Sequence, residues 1–252
     1  MEVTSLTITN ALLPDGGTST IHVFDGLVVE QGSSNAPVLD AGGRLVLPAL
    51  AEAHAHLDKA FLAETVPNPT GDLMGAIVAM EQHRAAITVA DTIRRAERAA
   101  RLLAANGATA IRTHADLTVW NGLDSVQALL EVRDRLRHLV SIQVFALLGS
   151  PSTGVDGSAH RSLLHDAIAL GIDGVGGCPH LEPEPLECIE MLLAAADHAG
   201  LPVDLHTDEH LDAERLTLGH LADVVLRSGF RQPVTASHCV SLGLQPVDVQ
   251  RD

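Results

Sequence analysis

The chain has 252 residues, enough for one (β/α)8 barrel or for one domain with a small appendage. Hydrophobic residues at 46% and a mean hydropathy of +0.20 indicate a buried core rather than disorder, and 2% aromatics with no Tyr make that core aliphatic. A formal charge of −16 disfavours nucleic acid and anionic membrane, which would both repel it. Cys178, Cys188 and Cys239 are too scattered for a disulfide framework or a Cys-x-x-Cys zinc site. The N-terminus shows no basic-then-apolar leader, and no apolar run approaches the ~20 residues of a spanning helix. The expected compartment is therefore the reducing cytoplasm.

Up to residue 47 the chain reads as short β-segments, Ser5 to Leu13, Thr20 to Glu30 and Pro37 to Leu39, divided by Pro14-Asp15-Gly16-Gly17 and Gly32-Ser33-Ser34-Asn35. Strand-like runs then recur at about 48–56, 108–115, 140–148, 172–178, 201–207 and 233–238. Helical stretches lie between them, at Ala90 to Ala105, Leu123 to Leu136, Glu187 to Ala199 and Asp212 to Ser228. Gly107, Gly171 and Gly200 each follow a helix, where a left-handed residue closes the last turn. Strand and helix in alternation point to a parallel sheet of TIM-barrel type. The expected domains are 1–47, part of a small β-sandwich, and 48–252, an incomplete barrel. Six of eight βα units are visible, and a C-terminally truncated barrel is expected over a six-stranded variant.

His54-Ala55-His56 closes the first barrel strand. Side chains alternate faces along a strand, so these two imidazoles point the same way and can grip one ion. Later strand-like runs also end in histidine, at His114, His180, His206 and His238. Imidazoles gathered at strand ends are how a parallel barrel builds a site on one face. His83, His138, His160, His165 and His198 fall in helical or loop stretches and are expected to face solvent.

The ordered set His54-Ala55-His56-Leu57-Asp58-Lys59, Arg112-Thr113-His114-Ala115-Asp116, Gly176-Gly177-Cys178-Pro179-His180, Asp204-Leu205-His206-Thr207-Asp208-Glu209 and Val234-Thr235-Ala236-Ser237-His238 resembles the amidohydrolase superfamily, in its cytosine deaminase-like branch. The resemblance implies metal ligation by His54, His56 and His206, proton transfer by Glu209, and an oxyanion-holding role for His238. Cys178-Pro179 stands where dinuclear members carry a carboxylated lysine, so one ion, zinc or ferrous iron, is implied. The family's ligand and base, an Asp on the eighth barrel strand, has no counterpart here. Nor is there a Gln near Leu148-Gly149-Ser150 of the kind that cytosine deaminases use to read the substrate amide.

Hydrolytic deamination needs hydroxide near neutral pH, which a metal held by neutral imidazoles supplies by lowering the pKa of water toward ~7. A carboxyl near the ion but not bound to it, as Glu209 would be, suits proton relay, although an acidic residue there could also cap the next helix. His114 and His180 are expected to hydrogen-bond behind the ligands or to touch the substrate, Asp58 and Asp116 to be acceptors that orient site groups, and Lys59 to make a salt bridge or a substrate contact. The expected function is deamination of an amino-substituted or cyclic-amide nitrogen heterocycle. A ring-opening cyclic amidase and an inactive fragment that keeps its metal-binding surface are the alternatives. The expected partner is that small molecule alone, without nucleic acid or membrane, and a homo-oligomer is compatible with the sequence.

Overall fold

The computed structural model describes residues 5–251, so Met1–Thr4 and Asp252, at the two ends of the expected domains, lie outside the described residues. The chain divides into two compact units, Met1–Ala49 and Leu50–Asp252.

The first unit is one four-stranded sheet, β1 (Ser5–Leu12), β2 (Thr18–Phe24), β3 (Leu27–Val29) and β4 (Val38–Asp40), in the order β3-β2-β1-β4. β4 runs parallel to β1 and the other pairs are antiparallel. The single β-run expected from Thr20 to Glu30 is broken at Asp25-Gly26. Both residues have positive φ, 49° and 76°, which suits a tight hairpin whose twist matches its strands.

The second unit is a six-stranded parallel sheet of β5 (Leu50–Ala55), β6 (Ala108–Leu117), β7 (Ser141–Leu148), β8 (Gly174–Gly177), β9 (Val203–Thr207) and β10 (Val234–His238), ordered as in the chain. Its helices are α1 (Leu73–Gln82), α2 (Val89–Ala105), α3 (Asp124–Leu136), α4 (Ser158–Leu170), α5 (Pro185–Ala199) and α6 (Leu218–Ser228). α2 shows why they form and dock. Thr88 caps its first turn by accepting from Asp91 N, and Thr92, Arg95, Ala96, Ala99 and Ala100 recur on one buried face at helical spacing. That face joins a core of small and branched side chains, including Ile111, Val126, Leu129, Val132, Val144, Ile189, Leu192 and Leu205. Gly107, Gly171 and Gly200 have φ of 96°, 88° and 68°, the left-handed values that end a helix.

β8 reads Gly-Val-Gly-Gly because its neighbours leave no room. A Cβ at Gly174 would stand 2.1 Å from the ring of the fully buried Phe145, and one at Gly176 would meet the carbonyl oxygens of Asp204 and Ala146 at 2.8 and 2.9 Å. Among the described residues no helix is long and apolar enough to cross a membrane.

Candidate functional site

The C-terminal ends of the parallel strands deliver five imidazoles to one place. His54 and His56 come from β5, His114 from β6, His206 from β9 and His238 from the last position of β10. The His54 ring centroid lies 5.2 Å from that of His56, 4.5 Å from His114, 4.8 Å from His206 and 4.9 Å from His238. One nitrogen from each of His54, His56, His114 and His206 falls within 4.8 Å of the others, and the Nε2 atoms of His56 and His206 stand 3.1 Å apart.

The electrostatics of this cluster suit a cation. Burial, with the nearby rings of His114 and His238, holds His54 below the ordinary imidazole value. Burial and then the Lys59 ammonium bring His56 to about 2, and burial with the surrounding imidazoles lowers His206. Neutral imidazole is the ligating form. Both ring nitrogens of His54 and His114 and the Nδ1 atoms of His56 and His206 are buried without a hydrogen-bond partner among the described residues. Burying such groups unpaired costs about 1–3 kcal/mol each. A divalent ion with nitrogen ligands satisfies several at once, so the residues present fit the metal that the family implies. His114, expected behind the ligands or against the substrate, has a nitrogen within the cluster.

Glu209 reaches the site through a pinned corner. Asp208, wholly buried at φ 50°, accepts from Thr217 N at 2.9 Å, Thr217 Oγ1 at 2.7 Å and Leu218 N at 3.1 Å. Those bonds hold the segment after β9 in an arc and delay the following helix: α6 starts at Leu218, not at Asp212 as the sequence suggests. Glu209 is left partly exposed, with Oε2 3.7 Å from Nε2 of His238. His238 and Cys239 themselves have φ of 69° and 50°. Left-handed conformations at residues other than glycine cost of order 1–3 kcal/mol and persist where the surroundings over-determine them.

On the other flank, Lys59 Nζ lies 2.5 Å from Asp116 Oδ1 and 3.3 Å from Asp58, while Asp58 also accepts from Asp116 N at 2.9 Å. Burial favours the neutral amine, but the two carboxylates outweigh it and keep Lys59 an ammonium beyond the ordinary lysine range. Burial pushes Asp116 up, Lys59 opposes this, and Asp58 adds to it. Arg95 anchors the turn from below, donating to the carbonyls of Asp58 and Ala60 at 2.7 and 2.9 Å.

A cavity of about 1180 Å³ opens over these groups. His54, His56, His206, His238, Glu209, Lys59, Asp116 and Cys178 line its polar part, and burial pushes the Cys178 thiol up. Leu62, Val66, Met74, Ile77, Met80 and Trp120 form an apolar wall that the sequence analysis did not assign to the site. His180 stands outside the cluster: its Nδ1 pairs with the backbone carbonyl of His206 at 3.0 Å. His160, expected in solvent, is 5% exposed, pairs through Nδ1 with Pro151 O at 2.7 Å and lines the cavity. It belongs to the helix face that packs inward, which its polar side chain concealed.

Below the imidazoles lies a buried polar network that sequence reasoning also missed. Asp204 is fully buried. Its Oδ1 accepts from Ser237 Oγ at 2.6 Å and faces His114 Nε2 at 3.6 Å, and its Oδ2 accepts from Arg112 at 3.0 Å. Burial favours the neutral acid, but contacts with His114, Ser237 and Arg112 prevail and hold Asp204 at about 2. The signal was available, since Arg112 and Asp204 precede His114 and His206 by two positions and so share their faces.

Comparison with known proteins gives the family. The model of the amidohydrolase family matches residues 68–251. A pterin deaminase of Rhizobium rhizogenes is 35% identical over 235 residues, covering 91% of this chain and 53% of the relative. The solved 5-methylcytosine deaminase of Klebsiella pneumoniae superposes with a TM-score of 0.85 at 31% identity, over 98% of this chain and 61% of that one. The N-isopropylammelide isopropylaminohydrolase of Burkholderia multivorans gives a TM-score of 0.81 at 27% identity, over 98% and 64%. The chain spans about half the length of the curated relatives it matches. It belongs to the amidohydrolase family, in the deaminase branch of that superfamily, and its parallel sheet is of the family's TIM-barrel type.

Proposed function

We propose that this chain carries the metal-binding part of an amidohydrolase that hydrolytically deaminates an amino-substituted or cyclic-amide nitrogen heterocycle. The observation that carries the reading is the meeting of four imidazoles, the half-buried His54 and His56 and the buried His114 and His206, their nitrogens within 4.8 Å, beside a carboxylate and a fifth imidazole 3.7 Å apart over one cavity. The names of the pterin and 5-methylcytosine deaminases support it. The three free thiols suit a reducing, cytoplasmic setting.

In this reading His54, His56 and His206 hold one divalent ion, zinc or ferrous iron. Such an ion would supply Lewis acidity, making water nucleophilic near neutral pH. Deamination forms one C–O bond and breaks one C–N bond, so protons must reach a ring nitrogen and the departing amine. Glu209, at the cavity edge, accepts the first proton of the attacking water and delivers it to the ring nitrogen, then carries the second, released from the new hydroxyl as the carbonyl forms, to the departing amine. His238, 3.7 Å from Glu209, donates a hydrogen bond to the oxyanion as the ring carbon becomes tetrahedral. Lys59, held as an ammonium by Asp58 and Asp116 at the cavity wall, presents N–H donors to a ring carbonyl. The apolar wall from Leu62 to Met80, with Trp120, packs against the flat ring and keeps water away.

The test is to incubate the zinc- or iron-loaded chain with pterin, 5-methylcytosine, cytosine and N-isopropylammelide and to measure released ammonia or amine. Metal-dependent release from at least one is expected. A ring-opened product instead, or no release from any with metal bound, contradicts the proposal.

A further inference from the structure

We propose that Asp204 is a positioning residue that fixes the His114 ring through Nε2 and so makes Nδ1 of His114 a fourth nitrogen donor beside His54, His56 and His206. This rests on the reading of the imidazole cluster as a metal centre.

The first support is the placement of His114. It is fully buried, 4.5 Å from the His54 ring and 4.8 Å from the His206 ring between centroids, and one of its nitrogens belongs to the compact ligand-capable set. Among the described residues its Nδ1 has no hydrogen-bond partner, and its Nε2 faces only Asp204 Oδ1 at 3.6 Å, beyond hydrogen-bond distance. Buried polar groups are ordinarily paired, and a ring held in this set with its Nδ1 unpaired is one that an ion would satisfy.

The second is the direction of the Asp204 carboxylate. Oδ2 is taken by Arg112, whereas Oδ1 is shared between Ser237 Oγ and the Nε2 side of His114. An acceptor facing Nε2 favours the tautomer protonated there, which leaves the Nδ1 lone pair free. Metal-ligating histidines regularly give their other N–H to a carboxylate, which orients the ring and raises its basicity.

The third is how firmly the carboxylate is held. Arg112 also contacts Thr235 Oγ1 at 3.1 Å and Gln143 Oε1 at 3.2 Å, and its guanidinium lies 4.5 Å from the centre of the Phe145 ring, whose centroid is 5.9 Å from that of His114. Side chains from β6, β7, β9 and β10 therefore fix one carboxylate beneath one imidazole. An ion pair serving the core alone would need Arg112 and Asp204 but would have no reason to place Oδ1 toward a ring in the metal-ligand set.

The test uses cobalt(II), whose visible absorption reports its ligands, titrated into the metal-free chain. His114→Gln and Asp204→Asn should each weaken Co²⁺ binding by roughly 10–100-fold and shift the visible bands. Asp173→Asn, which removes a carboxylate paired with Arg133 at 2.9 Å before β8, should lower stability without altering either. Independently of any variant's folding, nitrogen-15 NMR of the unsubstituted chain should find His114 protonated at Nε2 and bare at Nδ1. Binding lost in His54→Ala but unchanged, with unchanged bands, in folded Asp204→Asn and His114→Gln overturns this inference and leaves the metal centre standing. Binding indifferent to His54→Ala overturns both. A His114 ring protonated at Nδ1 overturns the positioning role.

Discussion

His54 and His238 lie on the two edge strands of a six-stranded sheet, β5 and β10, yet their ring centroids are 4.9 Å apart. Strands spaced about 4.8 Å would set the edges of a flat sheet roughly 24 Å from each other. The sheet is therefore curled as a barrel wall is, and the curl turns histidines far apart in sequence into one cluster. The site depends on that curvature as much as on the ligands.

Glu209→Gln separates proton transfer from ligation. The variant should bind metal as the unsubstituted chain does, because Glu209 is outside the ligand-capable set. In the proposed deamination its turnover should fall by roughly 10²–10⁴-fold. Ammonia release and metal content on the same sample check this, and unimpaired turnover would remove Glu209 from the mechanism.

Gly174→Ala and Gly176→Ala should each cost about 1–3 kcal/mol, since the added methyl meets the Phe145 ring in one case and two backbone carbonyls in the other. Gly219→Ala, in α6 with nothing within 4 Å, should be neutral or stabilising by up to about 1 kcal/mol. Urea unfolding of the three variants provides the comparison, and equal effects would contradict the packing described for β8.

Arg95→Ala should destabilise by roughly 3 kcal/mol, because a buried guanidinium joins Asp91 to the carbonyls of Asp58 and Ala60. Arg95→Lys should recover only part, since an ammonium cannot reproduce the fork. A loss below about 0.5 kcal/mol in Arg95→Ala would show that the turn carrying Lys59 is held by other contacts.

Alkaline pH should weaken the fold. The chain has no Tyr and one Lys, so thiols dominate the range above pH 9. Burial raises Cys188 to about 12 and raises Cys178 as well, from an ordinary value of 9.0. An acid whose pKa is higher in the folded state stabilises fully below the unfolded pKa, and that stability is lost as pH rises toward the folded one. The urea midpoint should therefore fall between pH 9 and 11, by up to about 1.4 kcal/mol per pH unit for each thiol. Cys188→Ala should show a shallower fall, and an identical slope would contradict the assignment.

Much of this was legible in the sequence because it is local. Strand-face alternation places His54 with His56, and glycines after helices mark Gly107, Gly171 and Gly200. α1 is not legible: Leu73-Met74-Gly75-Ala76-Ile77-Val78-Ala79-Met80 has no polar face, so no helical period stands out. The late start of α6 depends on Asp208, which caps Thr217 and Leu218 from across a loop. His114 as a cluster member and Asp204 beneath it depend on the curl of the sheet, which no local spacing encodes. The Glu209 and His238 pairing at 3.7 Å needed two strand ends to meet.

The most direct test of the central claim is elemental analysis of the purified chain after dialysis against limiting zinc or ferrous iron, beside His54→Ala, His56→Ala and His206→Ala. One ion per unsubstituted chain, with loss of most of it in each variant while circular dichroism stays unchanged, is the predicted result. Stoichiometric metal in all three variants, or none in the unsubstituted chain, would contradict the metal centre and the hydrolytic chemistry built on it.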